Sequence, residues 1–281
     1  MKSIGETLQQ AAQQLRMAGI PEARREAELL LAACLKRERA WLLAHPEWQL
    51  RARELRRFER WLARRARREP LAYITHQRWF YGVQLYVGRG VLIPRPETEQ
   101  LVELFLQRTR TTPQGVLVDA GTGSGCIALA CLLNAPGWRA VGIDRSRRAL
   151  RIAARNRDRY ALRHRWLLLQ AHWLTPLRPA CVDVILANPP YVLPHEWDTL
   201  PPEIARYEPK RALLAPRADP LRPYRQLMQQ AATVLKPGGW LAMETSLTLA
   251  NSVRDLLAPH GYYPIETGQP YIVGGERLTH P

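Results

Sequence analysis

The most distinctive chemistry-bearing stretch of this sequence is Asn188-Pro189-Pro190-Tyr191, which directly follows the apolar run 182–187. The run has the composition of a buried strand. Two consecutive prolines remove two backbone donors and fix two φ angles, so the strand has to end there. This combination of an amide, a rigid corner and an aromatic ring predicts a site that binds a planar amide or amine. The alternative is an ordinary turn.

A second stretch, DAGTGSG at residues 119–125, lies between a predicted strand and a predicted helix. Glycines let the backbone turn tightly and approach a ligand, and the helix N-terminus offers free N–H groups. Asp119 stands two residues before the first glycine, where it would repel a pyrophosphate but suits a cationic amino group. Asp144 ends the next predicted strand, where a carboxylate can accept both ribose hydroxyls. The two acids favour a ligand site over a plain strand–helix turn.

The surrounding pattern divides the chain into an all-helical part and an α/β part. Apolar residues at helical spacing predict a small bundle over residues 1–75. A short β-like segment follows at 79–91, and Pro96 with Glu97 and Glu99 predicts a helix start. From residue 115, alternating strands and helices predict an α/β domain with a mainly parallel sheet. The predicted strands are 116–119, 139–144, 166–170, 182–187 and 240–244, with two more in the tail, 262–279, joined around Gly274-Gly275.

The charge balance is strongly basic. Lysine plus arginine number 41 against 25 acids, and 37 of the bases are arginine, which favours an acidic or polyanionic partner. Residues 51–68 and 145–165 hold nine arginines each. Both clusters also carry apolar residues at helical spacing, so a solvated helix face is an equal alternative to a binding surface. In the first cluster, Leu55, Phe58 and Leu62 are expected to pack inward. The arginines expected to turn toward solvent are Arg53, Arg56, Arg57, Arg60, Arg64 and Arg67.

Several features predict a cytoplasmic protein without a metal or a membrane anchor. The four cysteines form no CxxC pair and lie in apolar runs, which is typical of reduced core residues. The histidines have no cysteine or histidine partners at metal-ligand spacing. No leader pattern is present at the start, and no apolar stretch approaches the roughly 20 residues of a membrane span.

The combination of DAGTGSG, GID and ILANPPY resembles the class I S-adenosylmethionine-dependent methyltransferases. The stretches EPLAYITHQRWFYG, VLIPRPETE, LPPEIARYEP and LKPGGWLAMET are similar to the HemK-type family, the peptide chain release factor glutamine N5-methyltransferases. This resemblance, from about residue 69 onward, implies a Rossmann-like class I methyltransferase domain. Its mainly parallel seven-stranded sheet would have an antiparallel last strand. The implied domains are a substrate-recognising helical bundle (1–75), a β-hairpin linker (76–95) and the S-adenosylmethionine-dependent domain (96–281).

The resemblance also implies an activity: methyl transfer from S-adenosylmethionine to N5 of the glutamine in the GGQ motif of release factors. Asn188 and the Pro189 carbonyl could each accept one amide hydrogen and hold the weakly nucleophilic nitrogen in line. The implied catalytic residues are Asn188, Pro189, Pro190 and Tyr191, which with Arg95 also bind the substrate. The implied cofactor-binding residues are Asp119, Gly121, Thr122, Gly123, Ser124, Gly125, Asp144, His172, Trp173 and Asn188.

Three alternatives stay open at this level. The same site could methylate a glutamine of a ribosomal protein. An adenine-N6 methyltransferase acting on DNA or RNA would explain the NPPY stretch and the positive charge, although no inserted target-recognition domain separates the motifs. A binding module that lost its cofactor is the third, because His172 stands where the family usually has an aspartate and Thr245-Ser246 replaces a usual glycine. Incidental RNA contact through the arginine clusters is compatible with each.

Overall fold

The computed structural model describes residues 2–278, which form two compact units. The first contains the residues up to 77 together with 201–207, and the second contains 78–200 and the residues from 208 onward. The predicted division at 75 and 95 stays a prediction. Within the described residues, no helix combines the length and the apolar character of a membrane span.

The elements follow one another along the chain as a helical N-terminal part and then an alternating part. The helices are α1 (Ile4–Met17), α2 (Ala23–Leu35), α3 (Arg39–Ala44), α4 (Ala52–Ala66), α5 (Leu71–Thr75), α6 (Glu99–Arg108), α7 (Cys126–Asn134), α8 (Arg147–Arg159), α9 (Pro202–Tyr207), α10 (Lys210–Leu213), α11 (Arg222–Val234) and α12 (Leu247–Asp255). The strands are β1 (Gln77–Phe80), β2 (Val83–Tyr86), β3 (Gly115–Ala120), β4 (Trp138–Asp144), β5 (Trp166–Gln170), β6 (Val182–Ala187), β7 (Leu235–Glu244), β8 (Tyr262–Ile265) and β9 (Ile272–Arg277). Two 3₁₀ turns lie at Pro194–Thr199 and Ala258–His260.

The helical unit is built around apolar stripes on its longest helices. Helix α1 begins with a capping box, in which Ser3 Oγ accepts from Glu6 N and Glu6 Oε2 accepts from Ser3 N. Its apolar residues at helical spacing are buried against those of α2 and α4. The core of this unit includes Leu8, Leu15, Leu30, Leu31, Phe58 and Leu62.

The arginines of α4 do not all face solvent, which corrects part of the prediction. Arg64 makes a bidentate ion pair with the buried Glu69, at 2.8 and 2.9 Å. Arg57 Nε donates to Cys34 Sγ at 3.1 Å. The buried Glu69 carboxylate requires a donor, which Arg64 supplies, and Arg57 is turned toward the buried Cys34 thiol. The exposed arginines of this helix and its ends are Arg51, Arg53, Arg56, Arg60 and Arg67.

Helix α9 belongs to the helical unit through an ion-pair network. Arg65 of α4 is almost fully buried and donates to Glu26 of α2 and, at 2.9 Å, to Glu203 of α9. Arg68 Nη2 donates to the other oxygen of Glu203 at 2.9 Å. A buried guanidinium requires anionic partners, so this network anchors α9 although it lies far along the chain from α4.

Replacing Glu203 with alanine is expected to lower the free energy of unfolding by about 1–3 kcal/mol, because the buried Arg65 guanidinium then loses one of its two carboxylate partners and keeps Glu26 and the Glu69 carbonyl. A urea titration monitored by circular dichroism measures the change. The matched control is Glu22→Ala, which removes an exposed carboxylate from its pair with Arg25. An exposed pair contributes about 0–1 kcal/mol. Equal stabilities for the two variants would contradict a role for Glu203 in anchoring α9.

The second unit contains a seven-stranded sheet with the strand order β5-β4-β3-β6-β7-β9-β8. Neighbouring strands from β5 to β7 are parallel, and β9, the last strand among the described residues, lies antiparallel between β7 and β8. This topology confirms the predicted Rossmann-like methyltransferase fold with an antiparallel last strand. Strands β1 and β2 form a separate two-stranded sheet.

The connection between the last two strands differs from the prediction. Gly274 and Gly275 lie inside β9, where they pair with Ala242 and Leu241 of β7. A Cβ atom on Gly274 would lie 2.9 Å from the Ile265 side chain, so glycine here permits close packing. The turn is instead made by residues 266–271. The end of the predicted tail, Thr279, lies outside the described residues.

The parallel strands bring several polar residues to one edge of the sheet. Asp144 ends β4, Asn188 follows β6 and Glu244 ends β7. Helix α6 starts near the same edge of the sheet. It begins at Glu99, three residues after the predicted start. Pro96, Glu97 and Thr98 form turns that lead into it, with Thr98 N donating to the Arg95 carbonyl at 3.2 Å. The carboxyl edge of a doubly wound sheet is where ligands bind.

Candidate active site

A cleft of about 1060 Å³, open to solvent, lies at the carboxyl edge of the sheet. This volume includes the solvent-filled mouth of the cleft. The predicted site residues that line it are Gly121, Thr122, Gly123, Ser124, Asp144, His172, Trp173, Asn188 and Pro190. Those that do not are Asp119, Gly125, Pro189, Tyr191 and Arg95.

The glycine-rich turn between β3 and α7 forms one wall of the cleft. Gly121 and Gly123 have φ angles of +80° and +55°, a region that side chains rarely adopt. Gly123 N donates to Asp144 Oδ2 at 3.0 Å, which ties the turn to the end of β4. Gly125 contributes differently: a Cβ atom there would collide with the Trp166 ring, so this glycine permits core packing and does not face the cleft.

Asp144 presents its carboxylate to the cleft in a fixed orientation. Besides Gly123 N on Oδ2, Oδ1 accepts from Ser146 N at 2.8 Å. Burial raises the pKa of Asp144, and the nearby Arg211 guanidinium opposes that rise. Each carboxylate oxygen can accept two hydrogen bonds, so both keep an acceptor position for a diol. Arg211, which also lines the cleft and donates to Ser146 Oγ at 2.8 Å, was not identified from the sequence.

Asp119 is a buried carboxylate with one unused oxygen. Its Oδ2 accepts from Thr122 Oγ1 at 2.7 Å and from Ala128 N at 3.2 Å, whereas no described residue donates to Oδ1. Burial, together with the charge of Asp144, raises the pKa of Asp119 to about 6. A cationic group beside Oδ1 would counter both effects. The acceptor positions of Asp144 beside the glycine turn therefore fit a ligand that carries a ribose.

His172 and Trp173 follow β5, the strand that pairs with β4, and both line the cleft. The pKa of His172 is lowered by burial and by the charges of Arg145 and Arg222, so the ring is neutral at pH 7 and one ring nitrogen can accept. Trp173 has a φ of +52°, which is uncommon for a residue with a side chain. Its ring lies 3.5 Å from the position that a Cβ atom on Gly121 would take. The indole thus covers the glycine turn.

The Asn188-Pro189-Pro190-Tyr191 corner is tied to two residues that sequence reasoning did not identify. Asn188 Nδ2 donates to Thr98 Oγ1 at 3.1 Å, and the Tyr191 hydroxyl donates to Glu244 Oε1 at 3.0 Å. Thr98 and Glu244 are almost fully buried. The position of Glu244 at the end of β7, beside β6, was the available signal, since parallel strands bring their carboxyl ends together.

Arg95 makes a contact of a different kind from the predicted one. Its Nη2 donates to the buried carboxylate of Glu208 at 2.6 Å, and Glu208 also accepts from Ile93 N at 2.9 Å. The pair holds the segment before α6 to the residues that follow α9. Arg95 does not line the cleft, and substrate binding by this residue stays a prediction.

The remaining candidate groups at the cleft are metal ligands and a thiol. Among residues 2–278, no cluster of histidine, cysteine and acidic side chains has the arrangement of a metal site. Cys126 lines the cleft, but burial raises the pKa of its thiol to about 12, so it stays protonated at neutral pH.

Comparisons with known proteins follow the same division of the chain. Residues 6–75 match the family model of the PrmC N-terminal domain, and residues 97–200 match that of the methyltransferase small domain. The release factor glutamine methyltransferase of Caulobacter vibrioides is 35% identical over 92% of this chain and 89% of that protein. Those of Geobacter sulfurreducens and Vibrio cholerae are 37% and 36% identical, over 89% and 99% of this chain and 87% and 96% of theirs.

Among solved structures, a ribosomal protein L11 methylase from Lactobacillus delbrueckii subsp. bulgaricus is similar with a TM-score of 0.46. It is 18% identical in sequence, over 65% of this chain and 78% of that one.

Proposed function

This chain belongs to the release factor glutamine methyltransferase family, and we propose that it transfers a methyl group from S-adenosylmethionine to the side-chain amide nitrogen of the GGQ glutamine in peptide chain release factors. The observation that carries the proposal is the sequence similarity to relatives of that name, which extends over nearly the full length of the chain. The Asn188 corner, which lies at the cleft, supports it physically. A cytoplasmic site of action is part of the proposal, and the four free cysteines are consistent with it.

Residues of the cleft, together with the buried Asp119 next to the glycine turn, would hold the cofactor by complementary chemistry. Asp144 would accept from the ribose hydroxyls, and the unused Oδ1 of Asp119 would accept from the amino group. The turn at Gly121 and Gly123 lets the backbone come close to the cofactor. Neutral His172 offers an acceptor on the side of the cleft where the adenine ring is expected. When bound, S-adenosylmethionine supplies an electrophilic methyl group on its sulfonium.

The corner residues would bind and orient the substrate amide. An amide nitrogen is a poor nucleophile because its lone pair is delocalised into the carbonyl group. The Asn188 side-chain oxygen and the Pro189 carbonyl would each accept one N–H and hold the nitrogen in line with the methyl group. These bonds strengthen as the nitrogen gains positive charge, so they favour the transition state over the ground state.

The proposal is tested by methyl transfer from isotopically labelled cofactor. The substrates are an unmethylated release factor, the same factor with the GGQ glutamine replaced by asparagine, a ribosomal protein fraction and an adenine-containing DNA duplex. We expect label in the intact factor alone, at the GGQ glutamine by mass mapping. Label on a ribosomal protein or on DNA, with none on the factor, would overturn the proposal.

The exposed arginines of α4 are proposed to contact the protein substrate away from the GGQ loop. Reversing Arg53, Arg56 and Arg60 to glutamate should raise KM for the intact release factor about 10-fold at low salt, because each exposed charge pair contributes up to about 1 kcal/mol. Added salt should reduce the difference in KM between the triple variant and the wild type. Steady-state kinetics measure the effect, and a short GGQ peptide is the control whose KM should stay constant.

If the triple variant and the wild type have equal KM values for the intact factor at low salt, these arginines form only a solvated helix face. Arg64 is left out of the reversal because its ion pair with Glu69 would make the variant a stability mutant. Incidental RNA contact is tested with the same triple variant, whose affinity for ribosomal RNA should fall if these arginines bind phosphate.

A further inference from the structure

Thr98 stands at the start of a helix but its side chain does not cap that helix. It directly precedes α6, where a threonine oxygen ordinarily accepts from a backbone N–H of the first turn. Thr98 makes no such bond. Its hydroxyl oxygen instead accepts from Asn188 Nδ2 at 3.1 Å, and the residue is only 2% exposed. The side chain of Thr98 therefore serves the corner that follows β6 and not the helix that it precedes.

The contact with Thr98 leaves the other end of the Asn188 amide available. The amide nitrogen of an asparagine can only donate hydrogen bonds, and the amide oxygen can only accept them. With Nδ2 turned to Thr98, Oδ1 is the end that can accept from a ligand, and no described residue donates to it. Both residues line the cleft. A free acceptor at this position is what the N–H group of a substrate amide requires.

Thr98 is held in turn by the segment that precedes α6. Thr98 N donates to the Arg95 carbonyl at 3.2 Å. Arg95 Nη2 and Ile93 N donate to the two oxygens of Glu208 at 2.6 and 2.9 Å, and the Glu208 side chain is 1% exposed. Two prolines lie among these residues and restrict the backbone between the contacts. A continuous series of hydrogen bonds thus connects Glu208, through Arg95 and Thr98, with the Asn188 amide.

We propose that Thr98 is a positioning residue whose hydroxyl holds the Asn188 amide by its nitrogen and leaves the amide oxygen to accept from the substrate. The buried Glu208 carboxylate keeps Thr98 in place through Arg95 and Ile93. This inference rests on the proposed glutamine methylation and explains how the acceptor of that reaction is fixed before the substrate arrives. A preorganised group needs no rearrangement during the reaction, and a displacement of about 1 Å can cost about 100-fold in rate.

Two substitutions at Thr98 test the first step. Thr98→Val removes the hydroxyl at nearly constant shape, and we expect kcat for release factor methylation to fall about 10- to 100-fold. Thr98→Ser keeps the hydroxyl, so its kcat should stay within about three-fold of wild type. Thr98→Val should keep its fold by circular dichroism, because no helix cap is lost. The matched control is Thr109→Val at the other end of α6, where a buried hydroxyl donates to the Phe105 carbonyl. Its kcat should equal that of the wild type.

Glu208→Gln tests the second step. A glutamine has one acceptor oxygen, so either Ile93 N or the Arg95 guanidinium loses its acceptor, and kcat should fall about 3- to 10-fold. The matched control is Asp183→Asn, because the Asp183 carboxylate likewise accepts from a backbone N–H and from a cation, Lys236. Asp183 lies near the start of β6, at the opposite edge of the sheet from the cleft, so its kcat should not change. If Glu208→Gln does not fold, Arg95→Lys, which keeps the cation and loses the guanidinium fork, takes its place.

Binding constants and a double variant separate positioning from direct contact. The dissociation constant of S-adenosylmethionine, measured by calorimetry, and KM for the release factor should stay within about two-fold of wild type in Thr98→Val and Glu208→Gln. Adding Thr98→Val to Asn188→Ala should lower kcat no further, because Thr98 acts through a side chain that is already absent. Independent effects would multiply.

Three results would overturn the inference while leaving glutamine methylation intact. They are a wild-type kcat in folded Thr98→Val, independent multiplication in the double variant, and a loss of cofactor affinity without a change in kcat. A wild-type kcat in folded Glu208→Gln would remove Glu208 from the positioning of Thr98. Failure of the wild-type enzyme to label the release factor would instead reject the proposed function.

Discussion

Replacing Asn188 with alanine should lower kcat for release factor methylation by about 100-fold or more, because it removes an acceptor that strengthens as the nitrogen gains charge. The side chain is held by Thr98 at the cleft, so the bond to the substrate is available without rearrangement. Single-turnover kinetics with labelled cofactor isolate the chemical step from product release. Calorimetry should show S-adenosylmethionine binding within a few fold of wild type.

A matched control is Asn134→Ala, which truncates an exposed asparagine at the end of α7, where its amide only donates to the Ala130 carbonyl. Its kcat should equal that of the wild type. A near-normal kcat in Asn188→Ala would remove this side chain from the mechanism and leave only the Pro189 carbonyl as an orienting acceptor. A large loss of cofactor affinity without a change in kcat would assign Asn188 to the cofactor instead.

The sheet and its motifs were predictable because they depend on local pattern. Alternating apolar strands and helices predict a mainly parallel sheet, and Asp119 and Asp144 at strand ends predict the edge at which the site lies. The NPPY corner was visible because consecutive prolines end a strand in any context. Such features need no knowledge of which elements become neighbours.

The remaining parts of the site depend on contacts between distant segments. Thr98 meets Asn188 across 90 positions of the chain, and Glu244 meets Tyr191 across 53, so neither pairing leaves a local pattern. Glycine occurs both in turns and where a strand packs closely against a neighbour, so the sequence Gly274-Gly275 was interpreted as a turn. The contact with the Ile265 side chain, which only the structure shows, identifies close packing instead. The ion pair of Arg64 with Glu69 likewise depends on a buried acceptor.

Replacing Asp144 with alanine should weaken S-adenosylmethionine binding by about 2–4 kcal/mol, or about 30- to 1000-fold, the cost of losing charge-assisted hydrogen bonds. The carboxylate also accepts from Gly123 N and Ser146 N, so the variant loosens the glycine turn as well. Asp144→Asn keeps one acceptor oxygen and should fall between alanine and wild type. Calorimetric titration of the three proteins measures the series.

The control for this series is Asp158→Ala, which removes an exposed carboxylate of α8 that pairs with Arg163. Its cofactor affinity should match the wild type. Because burial raises the pKa of Asp144, protonation begins at a higher pH than for a free aspartate, and cofactor affinity should fall as pH drops through that raised value. Asp144→Ala should lose this part of the pH dependence. An unchanged affinity in Asp144→Ala would mean that the end of β4 does not hold the ribose, and that the diol binds elsewhere in the cleft.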